Sequence, residues 1–116
     1  MKRSFLLAAI ALLLFAAHLP LAGQGAVPKM STVTPDSGKV GDLITVEGEN
    51  LSKANVAELY LTDGKNDFKV EVVEQGDKAI KFKVPEKVKQ GRLSLMVLTT
   101  GKEPKLIEQP VKMTVE

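Results

Sequence analysis

From Met30 onward, apolar side chains return at every second position, and that period decides what the chain can fold into. Residues 43-LITVEGEN-50 put Ile44 and Val46 on one face, and 56-VAELYLT-62 sets Ala57, Leu59 and Leu61 against Glu58 and Tyr60. In 68-FKVEVVE-74, Phe68, Val70 and Val72 oppose Lys69 and Glu71, and in 79-AIKFKVP-85, Ile80, Phe82 and Val84 oppose Lys81 and Lys83. The runs 92-RLSLMVLTT-100 and 105-KLIEQPVKMTVE-116 follow, the second alternating Val111, Met113 and Val115 with Lys112, Thr114 and Glu116. Strict alternation marks strands with one buried face, and no window beyond residue 30 carries a helical period.

The turns between these runs fix their order. Asp63-Gly64 and Gln75-Gly76-Asp77 are polar and tolerant of positive φ, as hairpin connections require. With Leu61 opposite Phe68 and Val72 opposite Ile80 the apolar faces stay in register, and Glu71 then falls opposite Lys81. Pro110 offers no N–H to a ladder, so it should interrupt the last strand or confine its first half to an edge. About seven short strands with frequent turns predict an all-β, immunoglobulin-like, two-sheet antiparallel sandwich.

A different segment precedes the sandwich. Lys2 and Arg3 stand before the apolar run Phe5 to Ala17, and His18, Pro20, Ala22, Gly23 and Gly25 follow it. A basic start, an apolar centre and a small-residue end are the parts of a secretory signal peptide, expected to form a helix over residues 1–26. Cuts after Gly23, Gly25 or Ala26 each leave small residues at the junction. The run is shorter than the ~20 apolar residues of a membrane span, so no stable span is expected once it is removed. The remainder, residues 27–116, is read as one domain. No cysteine occurs anywhere, so neither a lipid anchor nor a disulfide is available and packing must hold the fold.

Export also changes the charge balance. The net charge of +2 is carried by Lys2 and Arg3, which leaves residues 27–116 neutral. A sequence-independent nucleic-acid binder works by neutralising phosphates, so no nucleic-acid partner is expected.

The turn-rich stretch 34-TPDSGKVGDLITVEGENLS-52 places a strand end at Thr34-Pro35, a turn at Asp36-Ser37-Gly38 and another at Gly41-Asp42. These are the corners of a chain that passes from one sheet to the other. Together with Val33-Thr34-Pro35, Ile44-Thr45-Val46, Gly48, Asn50-Leu51, Ile80 to Pro85 and Gly91 to Val97, this stretch resembles the IPT/TIG family from residue 31 to about 100. Asp42 stands where that family commonly has a second glycine, and Leu51-Ser52 where it has Phe-Gly. The resemblance implies an immunoglobulin-like fold and a protein-interaction role, with a bacterial periplasm or the cell exterior as the expected location.

The residue inventory excludes most catalytic chemistry. The only histidine is His18, so beyond residue 26 there is neither His nor Cys for a zinc site, a Cys–His pair or a Ser–His–Asp triad. Glu47 and Glu49 share a strand face with Glu58 nearby, but outward positions are the ordinary place for such residues. The loop 63-DGKND-67 has too few oxygen ligands for calcium and reads as a plain hairpin. No catalytic residue, metal site or cofactor is therefore expected, and the chain is read as a non-catalytic binding or structural module.

Two surfaces are candidates. If Leu93, Leu95 and Val97 fill the core, Met96 and Leu98 turn outward beside the strand carrying Tyr60. Tyr60, Met96 and Leu98 would then form an exposed apolar patch suited to a protein partner. The alternative is a carbohydrate or surface-polymer site on Lys81, Lys83, Lys87 and Lys89, in a segment where residues 78–92 hold six basic residues against Glu86. Against that, Lys81 and Lys83 also fit the solvated face of a strand. Chain neutrality and the lack of Trp also speak against polymer binding. Glu116 directly follows the last expected strand, so one sandwich is expected to do all the work.

Overall fold

A computed structural model describes residues 26–116. Apart from Ala26, the export signal read over residues 1–26 lies outside these residues. Nine strands run in chain order: β1 Lys29–Thr34, β2 Ser37–Gly38, β3 Leu43–Glu49, β4 Val56–Thr62, β5 Asp67–Lys69, β6 Glu71–Gln75, β7 Ala79–Lys83, β8 Gly91–Thr99 and β9 Leu106–Val115. They form two sheets, one ordered β1-β3-β7-β6 and the other β2-β9-β8-β4-β5. No helix occurs among the described residues.

The expected two-sheet sandwich is therefore observed, with nine strands instead of about seven. One added strand is Ser37–Gly38, read above as a turn. It pairs parallel with Thr114 and Val115 at the end of β9. The chain thus leaves the first sheet after Thr34, touches the second at β2, and returns to the first at β3. The Thr34–Pro35 peptide bond at the first corner is cis. At the second corner Gly41 has φ 88°, a conformation that L side chains rarely adopt. The Asp42 carboxylate, in the position commonly held by a second glycine, accepts the Lys39 N–H at 2.8 Å and closes that turn.

The second difference concerns 68-FKVEVVE-74. Instead of one strand it is two, β5 in the five-stranded sheet and β6 in the four-stranded sheet, with Val70 at the switch. Val70 is buried, and its N–H donates to the Leu59 carbonyl at 3.0 Å before the chain turns away. Leu61 faces Phe68 as expected. Val72, however, faces Phe82, and a bulge between Val72 and Glu74 places Gln75 opposite Ile80. Glu71 consequently lies opposite Lys83, and Glu74 opposite Lys81. The reason is geometric: an inserted residue breaks the period of two, and Val73 at the bulge is left 49% exposed. A similar irregularity between Val56 and Glu58 turns Val56 inward and leaves Ala57 exposed, against the expected alternation.

Elsewhere the alternation holds. Ile44, Val46, Ile80, Phe82, Leu59, Leu61, Leu93, Leu95 and Val97 are all buried between the sheets. Each such side chain gains ~1.5–3 kcal/mol from leaving water, and without a disulfide these contacts hold the domain. β1 approaches β3 so closely at Gly48 that a Cβ there would lie 2.0 Å from the Lys29 carbonyl oxygen. Beyond it, Asn50 adopts φ 59° and its side-chain amide donates to the Val27 carbonyl at 3.1 Å, ending β3. Pro110 lies in the irregular pairing of β9 between Lys112 and Glu108, where only β8 flanks the strand. The first half of β9 is thus an edge, as its proline requires.

Candidate functional site

The outer face of the five-stranded sheet is built from the side chains left over when β4, β8 and β9 turn Leu59, Leu61, Leu93, Leu95, Val97 and Met113 inward. Cross-strand partners share a face, so the pairing register arranges the outer side chains in rows. The middle row is Glu108, Met96, Tyr60 and Lys69, in the strand order β9-β8-β4-β5. On one side of it lies Lys112, Ser94, Thr62 and Asp67, and on the other Leu106, Leu98 and Glu58.

Tyr60, Met96 and Leu98 are therefore brought together on one face, as the sequence suggests. Their exposure differs from the expectation. Met96 is only 8% exposed, because it is the central member of its row and tall side chains flank it on both strands. Tyr60 and Leu98 are half-buried. The apolar residue most open to solvent on this face is Leu106, which is 54% exposed and lies directly opposite Leu98. Sequence reasoning passed over it. The signal was the alternation at the start of the last run, where Leu106 and Ile107 compete for the inward position and only the pairing with Val97 selects Ile107.

Polar groups on the face are held in fixed positions. Lys69 Nζ lies 2.5 Å from Glu58 Oε2, and the Tyr60 hydroxyl donates to Glu58 Oε1 at 3.1 Å. The bond from Lys69, then that from Tyr60, lowers the Glu58 pKa below the usual carboxylate value. Burial, followed by the bond to Glu58, raises that of Tyr60. Tyr60 thus stays a neutral donor and Glu58 an anion, so the ring edge is locked beside Met96. The Thr62 hydroxyl donates to Asp67 Oδ1 at 2.7 Å and accepts the Gly64 N–H, tying the β4–β5 hairpin to the same face.

The lysines of the alternative site do not form one ridge. Lys81 Nζ lies 3.5 Å from Glu74, and Lys89 Nζ lies 3.8 Å from Asp63 at the β4–β5 turn. Lys83 and Lys87 instead line a cleft of about 740 Å³ where β5 passes into β6. Phe68, Val40 and Pro85 supply its apolar wall, and Asp67, Glu71 and Glu86 its acidic rim. Phe68, expected inward, pairs with Leu61 but at the sheet edge is only half-buried and lines this cleft instead of joining the core.

The candidates for chemistry resolve into structure. Glu47 and Glu49 stand on the four-stranded sheet and Glu58 on the other, so the three carboxylates do not converge. In 63-DGKND-67, Asp63 Oδ1 accepts the N–H groups of Lys65 and Asn66 at 2.8 and 2.7 Å. The carboxylate is used by its own turn, which is why its pKa is pushed down to about 2. Among the described residues no group of His, Cys, Asp or Glu is disposed to hold a metal ion.

The sequence that builds these two sheets matches a family profile. The profile of the IPT/TIG domain matches residues 28–115. The chain belongs to the IPT/TIG domain family. Among curated proteins none matches this TIG domain significantly. Solved structures that resemble it include a structural-genomics protein of unknown function from Bacteroides thetaiotaomicron, at 18% identity and TM-score 0.65, covering 80% of this chain and 22% of that one. A gamma-CGTase from alkalophilic Bacillus clarkii matches at 22% identity and TM-score 0.60, covering 78% of this chain and 12% of that one. The SGBP-B protein of a Bacteroides ovatus mixed-linkage glucan utilization locus, in complex with a mixed-linkage heptasaccharide, matches at 17% identity and TM-score 0.53. That alignment covers 77% of this chain and 22% of the other. The TIG domain thus spans less than a quarter of each of these proteins, and the likeness is one of fold.

Proposed function

We propose that this chain is a non-catalytic, exported binding module that engages a protein partner in the cell envelope or outside the cell through the outer face of its five-stranded sheet. The observation that carries the reading is the apolar strip of Tyr60, Met96 and Leu98, extended to the rim by the 54% exposed Leu106. A strip of this kind, bordered by the charges of Lys69, Glu58 and Glu108, has the make-up of an interface: an apolar centre and a polar rim. Export is supported by the basic and apolar segment ahead of residue 26, and no helix among the described residues is long and apolar enough to cross a membrane.

The test is capture of the partner from envelope and culture fractions by the immobilised domain. Leu98→Glu combined with Leu106→Glu is expected to abolish capture, whereas Lys81→Glu on the opposite sheet leaves it intact. Retention of the same partner by the double variant would sink the assignment of this face.

A second reading, binding of a carbohydrate or surface polymer, is favoured by one feature, the cleft that joins Lys83 and Lys87 to the half-buried ring of Phe68. It expects polysaccharide binding that weakens with salt and with Lys83→Ala plus Lys87→Ala, while Lys81→Ala and Lys89→Ala have no effect. Binding indifferent to all four substitutions would dismiss it.

A further inference from the structure

We propose that the partner on this face is a second copy of the chain, packed face to face about a twofold axis that runs along the strands. The inference rests on the outer face being the contact surface and adds the identity of what covers it.

The observation is an antisymmetry of charge. The middle row begins at the β9 edge with Glu108 and ends at the β5 edge with Lys69. The row beside it begins with Lys112 and ends with Asp67. These two rows therefore carry opposite charges at their ends, with the sign reversed between them, while the third row, Leu106, Leu98 and Glu58, carries the single charge of Glu58. All four of these residues are exposed.

A half-turn about an axis in the face and along the strands exchanges the β9 and β5 edges while keeping each row on itself. Glu108 of one copy then meets Lys69 of the other, and Lys112 meets Asp67. Both contacts occur twice, as an isologous interface demands. At the centre, Met96 of one copy comes over Tyr60 of the other, a thioether against an aromatic ring whose orientation the Glu58 bond has already fixed. The other in-plane half-turn, about an axis across the strands, keeps each edge over itself. Laid along the middle row, it sets Glu108 against Glu108 and Lys69 against Lys69; laid between the two rows, it pairs Glu108 with Lys112 but carries Met96 over Ser94 and Tyr60 over Thr62, so the apolar side chains lose each other. Ser94 and Thr62, the two central members of the charged row, are buried hydroxyl residues of modest size that leave the opposing copy room to approach.

The face is only four strands wide, ~14 Å between the outer strand axes at ~4.8 Å spacing, and its ion pairs are solvent-accessible. Association is accordingly weak and salt-sensitive. Sedimentation equilibrium of the mature domain from ~10 μM to ~1 mM is expected to show a monomer–dimer equilibrium. Lys69→Glu alone and Glu108→Lys alone should each weaken it at least about tenfold. An equimolar mixture of the two variants should restore the dimer, because each substituted position then meets an opposite charge in the other copy. Lys112→Glu and Asp67→Lys form an independent pair with the same expected rescue, which guards against a folding defect from setting a like charge beside Glu58. Circular dichroism confirms that each variant is folded.

A domain that stays monomeric to ~1 mM overturns the proposal, as does a dimer indifferent to these substitutions or one that mixing does not rescue. A strictly monomeric domain whose heterologous capture is still lost with Leu98→Glu and Leu106→Glu would refute self-pairing and leave the contact face itself standing.

Discussion

Gln109 holds Met30 in place: its side-chain oxygen accepts the Met30 N–H at 2.8 Å, and its side-chain nitrogen lies 3.5 Å from the Pro28 carbonyl. Gln109 is 4% exposed and Met30 fully buried, so one amide from β9 satisfies the backbone of β1 across the open edge of the sandwich. A buried N–H without an acceptor costs ~1–3 kcal/mol. Gln109→Leu, which keeps the bulk and removes the acceptor, is expected to lower stability by about that amount in urea unfolding. An unchanged midpoint would mean that the bridge contributes nothing.

Gly48 and Gly76 predict opposite outcomes for the same substitution. A methyl at Gly48 would sit 2.0 Å from a carbonyl oxygen of β1, whereas the nearest atom to one at Gly76 is 3.9 Å away. Backbone cannot rotate aside as a flexible side chain would. Gly48→Ala should therefore cost ~3 kcal/mol or more by displacing β1, and Gly76→Ala should lie within ~1 kcal/mol of the parent. Comparable melting temperatures for the two variants would contradict the close approach.

The two phenylalanines after residue 26 differ in burial and should differ in consequence. Phe82 is fully buried in β7 and Phe68 half-buried at the sheet switch. Phe82→Ala is expected to cost ~3–5 kcal/mol through transfer and cavity terms, and Phe68→Ala ~1–2 kcal/mol. Denaturant titration of both variants measures the ratio. A larger loss at Phe68 would show that the switch, not the core, limits stability.

Acid should weaken the β4–β5 turn through Asp63. The N–H groups of Asn66 and Lys65 hold the Asp63 pKa at about 2, below the ordinary aspartate range. A depressed folded-state pKa contributes stability that is present above the unfolded value and lost as pH falls through the folded one. The Asp63 contribution is thus constant above ~pH 5 and disappears between ~pH 4 and ~pH 2. Thermal melts of the parent and Asp63→Ala across this range should differ at neutral pH and converge in acid. Parallel curves down to ~pH 2 would refute the role of the carboxylate.

What the sequence determined by itself was the side of each strand that faces the core wherever the period of two runs unbroken. Ile44 with Val46, Ile80 with Phe82, and Leu93 with Leu95 and Val97 follow from alternation alone, because a strand that buries one face leaves no other solution. The corners at Pro35 and Gly41 were legible for the same local reason: proline and glycine restrict or free the backbone whatever surrounds them. Tertiary structure decided the rest. Residues 68–74 read as one strand, yet Val70 sends the two halves to different sheets, since the choice depends on which neighbour, β4 or β7, has an open edge. Met96 alternates outward in the sequence but is buried by its row, because exposure is set by side chains on two other strands. The opposite charges at the ends of the Glu108–Lys69 and Lys112–Asp67 rows come from β9 and β5, which are far apart along the chain, and only the pairing register places them on one line.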